Sequence, residues 1–240
     1  MTLKLLTAGN PKLMKGEDKG YLSFILHLAP STLSGYNTCP MASKGCAAAC
    51  LNTAGRGGLL KPGETTNVIQ QARIRKTRWF FEDRSAFMAQ LVQDVQKAIA
   101  LAGRKGMIPV FRLNGTSDLR WENVPVGGFD NIMTMFPNVQ FYDYTALPNR
   151  RNLPTNYHLT FSRKEDNQAN VELAIQNGMN IAAVFAVAKG KPLPATWMNR
   201  AVVDGDETDL RFLDPKGVIV GLRAKGKARK GTFNDFVVGV

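Results

Sequence analysis

Short apolar runs alternate with helical patterns over most of the chain. Two stretches have helical periodicity. The first covers residues 65–81, and the second has a stripe of five apolar residues, Phe87, Leu91, Val95, Ala98 and Ala102. Gly103 directly follows that stripe and predicts the end of the helix. A further helix is predicted over 167–177, closed by Gly178.

The remaining apolar runs predict strands, because each is short and is followed by polar or turn-forming residues. They cover 23–29, 108–113, 139–144, 158–161, 181–187, 201–203 and 219–222. Alternation of strands with helices predicts an α/β fold with a mainly parallel sheet and right-handed crossovers. The count favours a TIM-like β/α barrel, complete or incomplete, formed as one domain by residues 1–240. A full barrel usually takes about 250 residues, so this chain is near the lower limit.

Polar side chains follow the predicted strands, at the edge where β/α barrels carry their chemistry. The candidate catalytic residues are Asn114, Asp118, Asp143 and Ser162, and the candidate cofactor-binding residues are Thr116, Ser117, Arg163 and Asp204. Polar residues after strands are often only turn formers, and a turn is the better interpretation of Asp-Gly-Asp at 204–206 taken alone. The prediction of a shared cavity depends on several strand ends meeting at one rim.

The cysteines of the chain, Cys39, Cys46 and Cys50, lie within twelve residues of each other, and there are no others. An odd, clustered set does not form a disulfide framework, and it predicts a metal site instead. The alanines at 47–49 favour a helix, which would place Cys46 and Cys50 one turn apart on one face. Pro40 favours an extended backbone at Cys39, so this cysteine is expected to approach from a loop.

Three thiolates favour a 4Fe–4S cluster with one iron left open for chemistry. Structural zinc is an alternative that needs a fourth ligand, and a buried core without metal is another. The chain has two histidines, His27 and His158, and neither has a finger-like spacing from the cysteines. These histidines, Asp118 and Asp143 are the protein candidates for a fourth ligand, with an exogenous ligand favoured.

Composition limits the partners and the compartment. A hydrophobic share of 44% supports a sizeable core, and no apolar run approaches the roughly 20 residues of a membrane span. Residues 1–6 lack the pattern of a secretory signal, so reduced cysteines and a cytoplasmic location are expected. The net charge of +12, concentrated at 73–78 and 223–230, suggests nucleic acid. Nucleic-acid motifs are missing and charge runs are usually solvated faces, so this stays secondary to an unknown small-molecule substrate.

A cysteine triad in the loop after an early strand of a β/α barrel resembles the radical S-adenosylmethionine (SAM) enzymes. In that family three cysteines hold a 4Fe–4S cluster, and SAM chelates the open iron. The family motif has three and then two residues between cysteines, whereas this chain has six and then three. Gly57-Gly58 lies in a loop without the following acid that marks the family's SAM methionine site. The resemblance implies a radical-SAM-like barrel, with SAM as the candidate second cofactor.

Several segments also resemble a family of bacteriophage proteins, the gene product eighty-eight family. They lie at residues 39–57, 72–73, 112–118, 142–145 and 158–162. The resemblance implies a viral origin and expression in the cytoplasm of a host, but it does not supply a reaction. We therefore predict a phage-encoded iron–sulfur enzyme with an open iron. The alternative is a non-catalytic phage regulator that binds host protein or nucleic acid and has a structural metal site, either zinc or iron–sulfur.

Overall fold

The computed structural model describes residues 4–8, 14–231 and 235–239, and the first three residues of the predicted non-secretory N-terminus lie outside them. The helices are α1 (Lys44–Ala48), α2 (Val68–Glu82), α3 (Arg84–Arg104), α4 (Ile132–Met135) and α5 (Gln168–Gln176). The strands are β1 (Leu6–Thr7), β2 (Tyr21–Leu26), β3 (Ile108–Arg112), β4 (Gln140–Thr145), β5 (Tyr157–Ser162), β6 (Ile181–Phe185), β7 (Thr196–Trp197), β8 (Arg200–Asp204), β9 (Ile219–Arg223) and β10 (Val237–Val238). None of the described helices is both long and apolar enough to cross a membrane.

The strands form one sheet in the order β1-β2-β3-β4-β5-β6-β9-β8-β7. All neighbours from β2 to β8 pair in parallel, and the edge strands β1 and β7 pair antiparallel. This arrangement confirms the predicted α/β fold with a mainly parallel sheet. Within the described residues the order is open, since β1 and β7 end it without pairing to each other. The predicted β/α barrel, complete or incomplete, is therefore not confirmed.

Strand β10 joins the sheet beside β6, next to β5. Strand β5 pairs with the start of β6, at Ile181 and Ala182, whereas β10 pairs in parallel with its end, at Val184 and Phe185. The edge of β6 is thus shared between two strands. Because β5 no longer pairs with the end of β6, the sheet separates there, at the C-terminal ends of its parallel strands.

The outer face of the sheet packs against α3, and α2 packs on α3. The predicted stripe of α3, from Phe87 to Ala102, is fully buried and forms one core cluster with Leu22 and Phe24 of β2. Asn67 and Asp83 cap α2 and α3 with side-chain oxygens that accept from backbone N–H groups. Helix α3 continues past Gly103 and ends at Arg104, and the left-handed residue that follows it is Gly106 (φ 65°).

The inner face of the sheet is covered in part by the crossover between β8 and β9. Within this crossover Leu210 clusters with Val110 and Tyr142. Phe212 also packs on Tyr142 and lies edge-on to Tyr21, with ring centroids 5.6 and 5.4 Å apart. The connection therefore covers the inner face beside β2 to β4, and its Asp209 reaches the cavity at the end of β3.

Candidate functional site

A cavity of about 390 Å³ lies on the inner face at the C-terminal ends of the parallel strands. Strands β2 to β6 and β9 all contribute to its wall. It is lined by nine of the predicted site residues, namely Cys39, Cys46, Cys50, Asn114, Thr116, Ser117, Asp118, Ser162 and Arg163. The other two predicted residues, Asp143 and Asp204, are not among the cavity-lining residues.

Glu165, shortly after β5, fixes the helix that carries Cys46. Its two carboxylate oxygens accept from the Ser43 hydroxyl (2.8 Å) and from the backbone N–H of Gly45 (2.7 Å). Ser43 in turn caps α1, because its hydroxyl oxygen accepts from the Cys46 N–H at 3.1 Å. The start of α1 is thus attached to the end of β5, which places Cys46 in the cavity wall.

Cys50 differs from the sequence expectation in its backbone. Helix α1 ends at Ala48, and Cys50 has φ −54° and ψ 134°, outside the helical region. It caps a 3-10 turn at Leu51–Thr53, and its sulfur accepts from the Asn52 N–H at 3.5 Å. The expected pairing of Cys46 and Cys50 on one helical face is therefore wrong, although both residues line the cavity.

Cys39 lies in a loop, and its neighbour Thr38 anchors that loop. The Thr38 hydroxyl donates to the carbonyl of Ala29 (2.6 Å), and the Thr38 carbonyl accepts from the N–H of Asp118 (2.8 Å). The Cys39 sulfur lies 3.9 Å from the carbonyl oxygen of Thr116. The loop that follows β2 and the turn that follows β3 are thus joined beside the first cysteine.

Burial raises the pKa of all three thiols, and the pKa of Cys46 reaches about 12. Negative charge on the other two cysteines would raise the pKa of Cys46 further, and the nearby Lys164 opposes this. Arg73 likewise acts to lower the pKa of Cys50, because a nearby positive charge favours the thiolate. The free thiols are therefore protonated at neutral pH, and metal binding would release protons.

The cysteines share the cavity but are not arranged as a site for a single ion. Among the described residues, no three His, Cys, Asp or Glu side chains converge closely enough to hold a metal ion. Zinc needs such convergence, because its thiolate ligands all lie about 2.3 Å from one atom. A cubane instead takes each thiolate on a different iron.

The turn after β3 uses its polar side chains to hold its own shape. The Asn114 side-chain oxygen accepts from the Ser117 hydroxyl, the Leu119 N–H and the Trp121 ring N–H, at 2.9 to 3.0 Å. A Cβ at Gly115 would lie only 2.6 to 2.8 Å from atoms of Ile25, Leu26 and His27, so the turn packs directly on the chain leaving β2. Asn114 and Ser117 thus position the cavity wall.

The two predicted acids have different surroundings, because Asp118 follows β3 whereas Asp143 lies within β4. Asp118 lines the cavity, where its carboxylate accepts from the Thr145 hydroxyl and the Ala146 N–H, both at 2.7 Å. Asp143 is fully buried, and burial raises its pKa to about 7. It accepts from the N–H of Asn114 (2.7 Å) and the hydroxyl of Tyr157 (2.8 Å). Of the two, only Asp118 faces the cavity.

Arg163 and Asp204, predicted to bind a cofactor, have partners within the protein. Arg163 donates to the backbone carbonyls of Asp235 and Phe236. Asp204 accepts from Arg223 at 2.8 Å and from the N–H of Asp206 at 2.9 Å. The turn interpretation of 204–206 therefore agrees with the geometry.

The sequence does not indicate Arg73 as a site residue, because Arg73 belongs to a run of basic residues and such runs are usually solvated faces. On α2 it follows the buried Gln70 by three residues and precedes the buried Thr77 by four, so helical spacing alone places it on the inward face. Arg112 and Tyr144 are further cavity residues that the sequence did not indicate.

His27 also lines the cavity, and burial together with Arg73 and Arg112 lowers its pKa to about 3. Its imidazole is neutral and thus able to bind a metal.

Comparison with known proteins identifies a family. The family model described as Gene product 88 matches residues 4–235, so the chain belongs to that family. This result confirms the resemblance to the bacteriophage family. No curated protein and no solved structure matches the chain.

Proposed function

We propose that this Gene product 88 family member is a phage-encoded iron–sulfur protein in which Cys39, Cys46 and Cys50 hold a 4Fe–4S cluster. The observation that carries the proposal is that all three cysteines line one cavity at the ends of six strands. Parallel α/β sheets commonly place their chemistry at this edge. With three protein thiolates, one iron stays open, and an open metal position is typical of catalytic sites.

The charges around the cysteines support a thiolate-held cluster. Arg73 acts on Cys50 and Lys164 on Cys46, so two separate thiolates each have a cation nearby. The Lys164 ammonium is held in place by the carbonyl of Met41 and the carboxylate of Asp166. These fixed cations would offset the negative charge that three thiolates bring into a half-buried site.

The proposed activity is enzymatic, with a small-molecule substrate or SAM on the open iron. Such an iron would supply a binding position for the ligand and an electron for its conversion. The residues of the chain would enclose that ligand, with Asp118 and Ser162 on the wall of the cavity. We further propose an incomplete, radical-SAM-like barrel as the description of the open parallel sheet, and the cytoplasm of the host as the location.

The first test is anaerobic reconstitution with iron and sulfide. We expect about four irons and four sulfides per chain and a broad absorption near about 400 nm. Changing any one cysteine to Ala should remove most of the iron, because a three-thiolate site has no spare ligand. Ala48→Ser, an exposed change on the same loop, is the matched control and should bind iron like the unchanged protein.

Two results would contradict the cluster. One is full iron and sulfide in the single cysteine variants, and the other is a colourless protein that holds zinc. The second result would favour the non-catalytic regulator with a structural metal site.

The open iron is tested separately, by adding SAM to the reduced cluster and recording its electron paramagnetic resonance spectrum. A changed spectrum with release of 5′-deoxyadenosine is the result expected for radical-SAM-like chemistry. An unchanged spectrum, with His27 or Asp118 bound to iron in an experimental structure, would leave a closed cluster without SAM.

A further inference from the structure

The cavity beside the cysteines has an excess of positive charge. Its basic lining residues are Arg73, Arg112, Arg163, Lys164, Arg223 and Lys225, and its acidic ones are Asp118 and Asp209. Burial makes such charges costly unless each has a partner. A buried cation without a negatively charged partner therefore indicates where an anionic ligand would bind.

Most of these cations have a partner within the protein. The ion pairs are Arg112–Asp209 (3.0 Å), Lys164–Asp166 (3.0 Å), Arg223–Asp204 (2.8 Å) and Lys225–Asp206 (2.5 Å). Arg163 instead donates to two backbone carbonyls. Arg73 likewise has no described carboxylate within ion-pair distance, and it donates to one neutral acceptor where Arg163 donates to two.

Arg73 is held in place but is not neutralised. Its Nη1 donates to the side-chain oxygen of Asn52 at 2.5 Å, an uncharged partner, and its Nε is buried without a hydrogen-bond partner. Desolvation lowers the pKa of this guanidinium, which reflects the cost of its burial. With Cys50 protonated or removed, Arg73 therefore has no paired negative charge among the described residues, and a bound anion would supply one.

The wall formed by β3 and β4 offers further donors. The Arg112 guanidinium lies over the Tyr144 ring, 4.7 Å from its centroid. The Arg112 Nε and the Tyr144 hydroxyl are both buried without a partner, and both residues line the cavity. The Arg112 Nε can only donate and the Tyr144 hydroxyl can donate, so a ligand with acceptor oxygens would match both groups.

We propose that Arg73, with Arg112 and Tyr144, forms a subsite for the carboxylate or phosphate group of a small-molecule ligand. An oxyanion there would form charge-assisted hydrogen bonds with guanidinium groups. The cavity volume of about 390 Å³ lies in the range typical of small-molecule sites, roughly 300–1,000 Å³. This inference deepens the proposed function and rests on it only for the statement that the bound molecule is a substrate of the cluster.

The test uses the full chain with all three cysteines changed to Ala, so that no cluster is needed. Inorganic phosphate and malonate are titrated separately by calorimetry at constant ionic strength, with chloride as the blank, which distinguishes phosphate from carboxylate recognition. We expect saturable binding of at least one of them. Arg73→Gln should weaken it by about tenfold or more, as loss of a charge-assisted hydrogen bond implies. Arg75→Gln, an exposed arginine of the same helix, should change it less than about twofold.

If Arg73→Gln is not properly folded, as judged by the loss of cooperative unfolding, two further variants provide the test: Tyr144→Phe and Arg73→Lys. The first removes only a hydroxyl and should weaken binding several-fold, and the second keeps the charge and should retain part of the affinity. Absence of saturable binding to either anion, or equal weakening by Arg73→Gln and Arg75→Gln, would overturn the subsite. Anion binding here, combined with failure of the protein with all three cysteines to take up iron and sulfide, would overturn only the proposed function.

Discussion

At the residue scale, Asp143 is the buried acid whose protonation we expect to affect stability. Its carboxyl group accepts from the Asn114 N–H and the Tyr157 hydroxyl. If Asp143 is protonated, its own O–H can donate to the Tyr157 oxygen while its other oxygen still accepts from Asn114. The neutral form therefore keeps both contacts, which is consistent with the raised pKa of about 7 that burial produces.

We predict that Asp143 makes the protein less stable as the pH rises. The folded pKa of about 7 exceeds the ordinary value of 3.8, so the folded state holds the proton more tightly than the unfolded state. The stability contributed by the neutral acid is complete below about pH 4 and is lost as the pH rises through about 7. Asp143→Asn, which has the same shape and no charge, should remove this loss. The difference should reach on the order of 4 kcal/mol by about pH 8.

The measurement is urea unfolding of both proteins from about pH 4 to pH 8. The difference between the two free energies of unfolding should change with pH, since other groups titrate alike in both. A constant difference over that range would mean that Asp143 is ionised throughout, and the predicted burial effect would be wrong.

At the element scale, the Glu165 carboxylate connects β5 to α1. It accepts from the Ser43 hydroxyl and the Gly45 N–H at the start of a helix of only five residues. So short a helix has little stability of its own, and its position depends on such contacts. A carboxylate is also favoured at a helix N-terminus, where the backbone N–H groups carry partial positive charge.

We predict that Glu165→Gln loosens the loop that carries Cys46. The amide keeps the shape but loses the charge, so the cost should be about 1 kcal/mol. Alkylation of Cys46 in the metal-free protein should become faster, and the iron bound after reconstitution should fall. Mass spectrometry of the alkylated cysteines and iron analysis measure the two effects.

Glu172→Gln on α5 is the matched control, because this glutamate is exposed and contacts only Gln168 among the described hydrogen bonds. It should leave both the alkylation rate of Cys46 and the iron content unchanged. Equal values in the two variants would show that the loop holds its shape without Glu165.

At the scale of the whole molecule, the sequence predicted the parallel strands well and the edges poorly. Each predicted strand corresponds to one of the strands from β2 to β9, because buried parallel strands are continuous apolar runs. The edge strands β1 and β7, together with β10, have only two residues each, too few for any periodic signal. Without them the sequence cannot show where the sheet ends, so it predicts a β/α barrel without deciding whether the barrel is complete.

The site was predictable in part for the same reason. Polar residues after parallel strands meet at one edge of the sheet, which placed Asp118 and Ser162 with the cysteines in one cavity. Which side chains are used internally was not predictable. The Asn114 side chain forms hydrogen bonds with Leu119 and Trp121 in the turn that follows it. Asp204 accepts from Arg223 at the end of the neighbouring strand β9. The position of Arg73 in the cavity was not predictable either, because a run of basic residues suggests a solvated face.

The basic segments of the chain divide into two groups in the fold. Arg75 and Lys227 are exposed, whereas Arg73 and Lys225 line the cavity. Lys76 is buried and donates to the carbonyl of Leu5, and burial lowers its pKa to about 8. The net charge of +12 therefore overstates the cations available to a polyanion at the surface.

We predict that any affinity for nucleic acid comes from the exposed group alone. At low salt, duplex DNA should bind without sequence preference, and the affinity should fall steeply with salt as counterions are released. Arg75→Glu with Lys227→Glu should weaken binding and reduce the dependence on salt by about one counterion per lost contact. Arg73→Gln with Lys225→Gln should have no such effect, because these side chains belong to the cavity.

Fluorescence anisotropy of labelled DNA across a salt series measures both the affinity and its slope. Loss of binding in the cavity variants with full binding in the surface variants would place the polyanion at the cavity. The proposed separation between a small-anion site and a basic surface would then be wrong. Absence of binding at low salt would leave the exposed charge without a nucleic-acid partner, because even non-specific binding requires only accessible cations.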